Sequence, residues 1–170
     1  GYPVLGERPM NGGTPTLAYA WTIEATGATL GGDSDTLILT PGTVTPGDEV
    51  HCTVSATDAH TGSATGSDDV TVSNRLPSIT SVSITPDPAK ASDTLTCSYA
   101  GFADPDYPDF PTSGTDASSF AWTVGGSSAG TSATLAASLI VTGDVVACTV
   151  TPSDGEEDGD SDTGTYDNAV

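Results

Sequence analysis

Positive charge is almost absent from this sequence. Its 170 residues include 3 Lys and Arg against 23 Asp and Glu, which gives a formal net charge of −20. Proteins that bind nucleic acid by neutralising phosphates need several cations, so this charge excludes that class. It also argues against attachment to anionic membrane surfaces. No apolar run approaches the roughly 20 residues that a membrane-spanning helix requires.

Strong helix formers are scarce as well. Hydrophobic residues make up only 35% of the chain, and the acidic residues are 18 Asp but only 5 Glu. Glu favours helices, whereas Asp favours turns, caps and oxygen-ligand loops. The 20 Gly and 12 Pro add further turn residues, and no segment shows sustained helical spacing of apolar residues. The composition predicts an all-β protein with short strands and many turns.

Recognisable catalytic motifs are missing too. The sequence contains no nucleophile elbow, no zinc-ligand spacing and no phosphate-binding loop. Its two histidines are His51 and His60. The alternation of apolar residues points His51 outward from its strand, and His60 lies in a loop. We therefore expect a protein that is not an enzyme.

An internal repeat is the clearest pattern present. Residues 19–23, YAWTI, recur as 120–124, FAWTV, and residues 47–54, GDEVHCTV, recur as 143–150, GDVVACTV. An offset of about 100 residues corresponds to a domain, whereas solenoid repeats are far shorter. A short turn-rich linker lies at 73–77. The repeat predicts two domains, residues 1–74 and 75–170.

The two predicted domains differ in completeness. The second begins with the apolar segments 79–84 and 94–99, which have no counterpart in the first. The chain also ends where the last strand of the second domain should be running. We therefore expect the first domain to lack its first strands and the second to have a truncated last strand. The chain is then a part of a longer tandem array.

Apolar residues alternate within each predicted domain. Strands with one buried face have this period of two. The sequence therefore predicts tandem immunoglobulin-like antiparallel β-sandwiches, each with one Trp in its core. The alternating sets are Tyr19, Trp21 and Ile23; Val50, Cys52 and Val54; Phe120, Trp122 and Val124; Val146, Cys148 and Val150.

The order Cys97, Trp122, Cys148 carries further information. It places a Cys on an early strand, a Trp on the next and a second Cys on a late strand. In a two-sheet sandwich such a pair can bridge the sheets, with the indole packed against the sulfurs. The sequence predicts this disulfide, and two buried free thiols are the alternative. A disulfide implies an oxidising compartment, hence an extracellular or cell-surface location.

The third cysteine, Cys52, is left over. It matches Cys148 in the repeat, so its expected partner is the counterpart of Cys97, which would precede Gly1. Three alternatives remain. The partner lies in upstream sequence, it comes from another chain in an assembly, or Cys52 is a free buried thiol.

The motifs around these residues resemble a known group. Residues 95–102, LTCSYAGF, 120–124, FAWTV, and 143–155, GDVVACTVTPSDG, are similar to immunoglobulin-like or PKD-like repeats that occur in tandem in large bacterial surface and secreted proteins. The resemblance covers the second domain and the later two thirds of the first. It implies a spacer, an adhesive segment or a fibre-forming filament outside the cell, often with bound calcium, and homotypic neighbouring repeats or subunits as partners.

Two acidic loops are the strongest candidate site. The segment 104–109, DPDYPD, precedes the Trp122 strand, and 153–160, SDGEEDGD, follows the Cys148 strand. In an immunoglobulin-like sandwich these loops lie at the same end. Ca²⁺ takes six to eight oxygen ligands and tolerates irregular loops. The candidate metal ligands are Asp104, Asp106, Asp109, Asp154 and Asp158, and a solvated acidic surface is the alternative.

Two aromatic residues lie in the first acidic loop. Tyr107 and Phe110 are candidate contacts for a protein or a surface glycan, since exposed rings on a rigid loop can anchor a ligand. The alternative is that these rings fold back over the end of the sandwich. The sequence favours a structural repeat of an extracellular protein. An adhesin or carbohydrate-binding module, or a non-catalytic spacer of a secreted hydrolase, is the alternative function.

Overall fold

The computed structural model describes residues 14–90, 92–111 and 113–167. Their regular structure consists of antiparallel strands and one 3₁₀ helix of three residues, Ala137–Leu139. The all-β prediction is therefore confirmed. Within these ranges, no helix is both long and apolar enough to cross a membrane. The strands are β1 Thr16–Ile23, β2 Thr29–Leu30, β3 Glu49–Thr57, β4 Ser63–Thr71, β5 Ser81–Thr85, β6 Leu95–Ala100, β7 Ser119–Val124, β8 Ser127–Gly130, β9 Thr134–Leu135, β10 Val145–Thr151 and β11 Asp162–Asp167.

The described chain divides into two compact units. Unit 1 contains residues 14–40 and 47–72, and unit 2 contains Pro41–Pro46 together with the chain from Ser73 onward. The sequence-based boundary after residue 74 lies two residues from this division. The sequence pattern does not predict that Pro41–Pro46 belongs to unit 2.

Unit 1 is built on one four-stranded sheet in the order β2-β1-β3-β4. Strand β3 pairs with β4 along its whole length, and it pairs with β1 from Val50 to Thr57. Gly27 and Gly47, both with positive φ, occupy the turns before β2 and β3. Positive φ costs Gly little, which explains its presence at these reversals.

Unit 2 is an immunoglobulin-like sandwich of two sheets. One sheet has the order β11-β10-β7-β8 and the other β5-β6-β9. The Cys97–Cys148 disulfide joins β6 of one sheet to β10 of the other, with an S–S distance of 1.99 Å. The disulfide expected from the sequence is therefore present. The core around it contains Ile84, Leu95, Cys97, Trp122, Leu135, Val146, Cys148, Val150 and Tyr166.

The two units share one register around their tryptophans. Trp21 lies opposite Cys52 on β3, and Trp122 lies opposite Cys148 on β10. The indole nitrogens also make matching hydrogen bonds, from Trp21 Nε1 to the Ser34 carbonyl at 2.9 Å and from Trp122 Nε1 to the Ser132 carbonyl at 2.8 Å. The internal repeat of the sequence is thus reproduced in strand pairing and in side-chain contacts.

Burial differs sharply between these two tryptophans. Trp122 is 1% exposed, whereas Trp21 is only half-buried. The prediction that both form core therefore holds for Trp122 and is corrected for Trp21. In unit 2 the sheet of β5, β6 and β9 covers the indole, while the described strands of unit 1 form a single sheet.

The final strand is β11. It pairs with β10 from Val145 to Val150. The predicted truncation of this strand concerns the chain after residue 167, which lies outside the described residues. The same holds for the N-terminal part of the first predicted domain, residues 1–13.

Candidate functional site

Two aspartates of the loop after β6 are buried. Asp104 is 3% exposed and Asp106 is 6% exposed. Asp104 Oδ1 accepts a hydrogen bond of 2.8 Å from the Asp106 backbone N–H, which closes the loop locally. Asp favours such turns because its short side chain reaches the backbone two residues on. Burying ionised carboxylates is costly unless other groups compensate for the lost hydration.

Arg75, in the predicted linker, supplies that compensation for Asp106. Its backbone N–H donates to Asp106 Oδ2 at 2.7 Å, and its Nε donates to Asp106 Oδ1 at 2.8 Å. Its terminal Nη2 also donates to the Pro105 carbonyl oxygen. One of the three basic residues in the chain therefore hydrogen-bonds to the first acidic loop.

Asp154, in the loop after β10, is held in a similar way. Its Oδ1 accepts hydrogen bonds of 2.8 Å from the backbone N–H groups of Glu156 and Glu157, and its Oδ2 accepts one of 2.8 Å from Asn74 Nδ2. Burial acts to raise the pKa of Asp154, but these hydrogen bonds outweigh it and the pKa lies below its ordinary value. Asp154 is therefore stabilised in its ionised form.

Two of the candidate metal ligands therefore contact one short segment, because Asn74 donates to Asp154 and Arg75 donates to Asp106, whereas Asp104 is linked to it only through the Asp106 backbone N–H. Sequence reasoning placed the two acidic loops together but missed both linker residues. The rarity of Arg in so acidic a chain was the available signal. Asp109 and Asp158, the remaining candidates, are exposed.

One oxygen of this group of aspartates stands out among the described residues. Asp104 Oδ2 is fully buried and has no hydrogen-bond partner in the described part of the chain. Buried polar atoms are normally paired, so a buried carboxylate oxygen without a partner is a position where a cation would be stabilised. The donor set, carboxylate and carbonyl oxygen, is of the type that Ca²⁺ binds. Calcium at this cluster remains a prediction.

The two loop aromatics pack within unit 2. The Phe110 ring contacts the Phe102 ring with 4.9 Å between centroids, and Tyr107 is half-buried. Burial, followed by the charges of Glu156 and Asp104, raises the pKa of the Tyr107 hydroxyl. This packing corresponds to the alternative in which the rings fold over the sandwich end. Their role as ligand contacts remains a prediction.

Cys52 is a free, half-buried thiol in this structure. It lies in a trough of about 310 Å³ on unit 1. The equivalent residue of unit 2, Cys148, is fully buried and disulfide-bonded. The trough is lined by Trp21, Val50, Cys52, Asp68, Asp69 and Val70.

A second group of polar side chains lies on unit 1. His51 Nδ1 contacts Asp69 Oδ1 across the β3–β4 pair, and Glu24 follows β1. The hydrogen bond to Asp69 raises the pKa of His51, and the charges of Asp69, Glu24 and Glu49 act in the same direction. Alternation predicted that His51 points outward, and its side chain is 27% exposed. No sequence pattern predicted that Glu24 and Asp69 lie beside it.

Comparison with known proteins finds similarity in structure but not in sequence. No protein-family model matches the chain, and no curated protein matches it in sequence. A segment of two fibronectin type III domains from chicken tenascin has a TM-score of 0.49 and 15% sequence identity, and the match covers 95% of this chain and 88% of that chain. At this identity and score the similarity says nothing about function.

Proposed function

We propose that this chain is a structural segment of an extracellular protein, in which tandem immunoglobulin-like repeats form a stalk, filament or adhesive spacer without catalytic activity. The observation that carries the proposal is the Cys97–Cys148 disulfide across the two sheets of unit 2. Disulfides persist mainly in oxidising compartments outside the cytosol. The repeated Trp–Cys register of unit 1 supports a tandem arrangement.

The disulfide gives this segment a mechanical property that suits a spacer. It closes a loop of 51 residues between β6 and β10. When the chain is pulled from its ends, that loop cannot extend while the S–S bond is intact. A fully extended chain spans at most about 3.5 Å per residue, so the intact bond shortens the unfolded chain by roughly 18 nm.

Single-molecule force spectroscopy on the full chain tests this proposal. We expect the unfolding step of unit 2 to lengthen by about 18 nm after reduction. Cys52 is unpaired, so the Cys52→Ser variant should show the same unfolding steps as the parent chain. Identical step lengths before and after reduction would contradict the mechanical role.

The extracellular location of the protein is tested in the organism that makes it. An antibody against unit 2 should label intact cells or extracellular material, and thiol-specific mass labelling should find Cys97 and Cys148 oxidised. Labelling only after cell lysis, with both thiols reduced, would overturn the extracellular assignment. The packing of Phe110 on Phe102 favours a spacer over a module that binds glycans through Tyr107 and Phe110.

Calcium binding by the acidic loops is part of the proposal. Asp104, Asp106 and Asp154 are the residues that would hold the ion, and the buried Asp104 Oδ2, which has no partner among the described residues, supports it. Their loops would have to draw together on binding, because ligand atoms from these three side chains do not all lie within 4.8 Å of one another. A hard cation would compensate the charge of Asp104, which receives no contact from the Arg75 side chain among the described hydrogen bonds. Bound calcium would stabilise the folded state by mass action.

The calcium test compares melting temperatures at low ionic strength. We expect a higher melting temperature in Ca²⁺ than in EDTA for the parent chain, and a smaller difference for Asp104→Asn. Asp87→Asn is the matched control, because Asp87 is an exposed aspartate of unit 2 outside the two acidic loops and its loss should leave the difference unchanged. Equal melting temperatures in Ca²⁺ and EDTA would exclude the calcium site and would leave the spacer proposal unaffected.

The homotypic partner is proposed to bind at the Trp21 face, defined as the side of the unit 1 sheet that carries Trp21, Val50, Cys52 and Val70. In unit 2 the equivalent of Val70 is Tyr166, which is 8% exposed, whereas Val70 is 55% exposed. The proposed occupant is a strand pair of the β5–β6 type from a neighbouring repeat. Its cysteine at the Cys97 position would reach Cys52, as Cys97 reaches Cys148.

A synthetic peptide of residues 78–100 serves as the probe for this face. Under mild oxidation we expect mass spectrometry to find a disulfide between the peptide's Cys97 and Cys52 of the chain. The control peptide carries Val82→Asp and Leu95→Asp but keeps its cysteine. Equal reaction of both peptides would show simple thiol reactivity and overturn the proposed docking.

A further inference from the structure

We propose that Glu24, His51 and Asp69 form a binding site for a divalent transition metal such as Zn²⁺ on unit 1. One ligand atom from each of the three side chains lies within 4.8 Å of the other two. Within the described parts of the chain, this is the one group of three His, Cys, Asp or Glu side chains with such spacing.

The backbone fixes the three positions independently. His51 and Asp69 are direct partners in the β3–β4 register, and the Glu24 N–H donates to the Glu49 carbonyl at 2.8 Å, which holds Glu24 beside the start of β3. Neighbouring strands lie about 4.8 Å apart, so side chains from three adjacent segments on one face can reach a common point.

The internal repeat argues that these residues are not required by the fold. In unit 2, Ala147 and Thr165 occupy the paired positions of His51 and Asp69. The Gly125 N–H makes the hydrogen bond to the Val145 carbonyl that corresponds to the one made by Glu24. The same scaffold therefore forms with no ionisable group at any of the three positions.

The donor set selects the class of metal. An imidazole nitrogen with two carboxylate oxygens suits Zn²⁺ and similar borderline ions, whereas Ca²⁺ and Mg²⁺ prefer oxygen ligands alone. Three protein ligands leave one position of a tetrahedral site open for water or a further ligand. This site is separate from the acidic loops of unit 2 in residues and in metal preference.

The test is Zn²⁺ binding to the full chain by calorimetry, with excess Ca²⁺ to occupy the acidic loops and in a Cys52→Ser background to remove the thiol. We expect one site, weakened at least tenfold by His51→Ala and also weakened by Glu24→Gln and by Asp69→Asn. His60→Ala, which removes the other histidine, should leave the affinity unchanged.

A spectroscopic measurement keeps the test independent of folding defects in the variants. In NMR spectra of the parent chain, Zn²⁺ should shift the imidazole signals of His51 and not those of His60. Unaltered affinity in His51→Ala, or His51 signals that do not move in millimolar Zn²⁺, would overturn the proposal.

Discussion

Trp122 lies directly opposite Cys148 on the neighbouring strand, and that cysteine is bonded through the sandwich to Cys97. Trp21 has the same relation to Cys52 in unit 1, but Cys52 has no disulfide there. The two tryptophans thus share strand register and indole hydrogen bonding but differ in what covers them. A comparison of the two tryptophans therefore measures the effect of burial while strand register and indole hydrogen bonding stay the same.

Replacement of each tryptophan by Ala should have unequal effects. Trp122→Ala removes a fully buried indole from a closed core and should lower the free energy of unfolding of unit 2 by about 3–5 kcal/mol. Trp21→Ala should cost unit 1 less than half as much, since that ring is half-buried. Calorimetric melting measures both changes.

Fluorescence quenching provides a second readout for the two rings. In the single-tryptophan variants, acrylamide should quench Trp21 more strongly than Trp122. Equal quenching would mean that the Trp21 face is covered in solution.

Removal of the disulfide should destabilise unit 2 about as much as the Trp122→Ala substitution does. Closing a loop of 51 residues stabilises a protein by about 4 kcal/mol in the chain-entropy model. We expect the double variant Cys97→Ala, Cys148→Ala to lose about that much in urea denaturation. Cys52→Ala is the control, and a loss as large as that of the double variant would show that Cys52 is bonded.

Arg75 should stabilise unit 2 although its own side chain is 52% exposed. Its partner, the Asp106 side chain, is only 8% exposed, so Arg75→Ala leaves a buried carboxylate without the Nε donor and with only the backbone N–H of residue 75. After allowance for solvent screening, we expect a loss of roughly 1–2 kcal/mol. Arg75→Lys should rescue only part of it, because Lys lacks the planar fork of donors.

Lys90→Ala is the matched control for the Arg75 variants, since Lys90 is an exposed basic residue of the same unit. Its effect should stay within about 0.5 kcal/mol. Equal losses in Arg75→Ala and Lys90→Ala in urea denaturation would mean that general charge, and not the contact with Asp106, carries the effect.

The stability of unit 2 should decrease in acid through Asp154. Its folded pKa lies below the ordinary value of 3.8. The stabilisation is therefore fully present above that value and is lost as the pH falls through the folded pKa. Melting temperatures between about pH 5 and pH 2 should fall less steeply for Asp154→Asn than for the parent chain. The Asp109→Asn variant should follow the parent, and a parallel profile for Asp154→Asn would refute the assignment.

Residues with local periodicity were predictable from the sequence. Period-two alternation gave the faces of β1, β3, β7 and β10, because successive side chains of a strand point to opposite sides of the sheet. The repeated motif gave the equivalence of Cys52 and Cys148. Together with the Cys–Trp–Cys order, these patterns predict the sandwich and its disulfide.

The candidate sites depended on the tertiary structure, because they join side chains far apart in sequence. Arg75 meets Asp106, Asn74 meets Asp154, and Asp69 meets His51 only where loops and strand pairs bring them together. A periodic sequence pattern cannot predict these contacts, because they depend on the paths of the loops and on which strands pair. The sequence by itself determined strands, faces and the covalent bridge. Only the fold decided that a linker arginine would neutralise a buried aspartate and that one tryptophan would remain half-exposed.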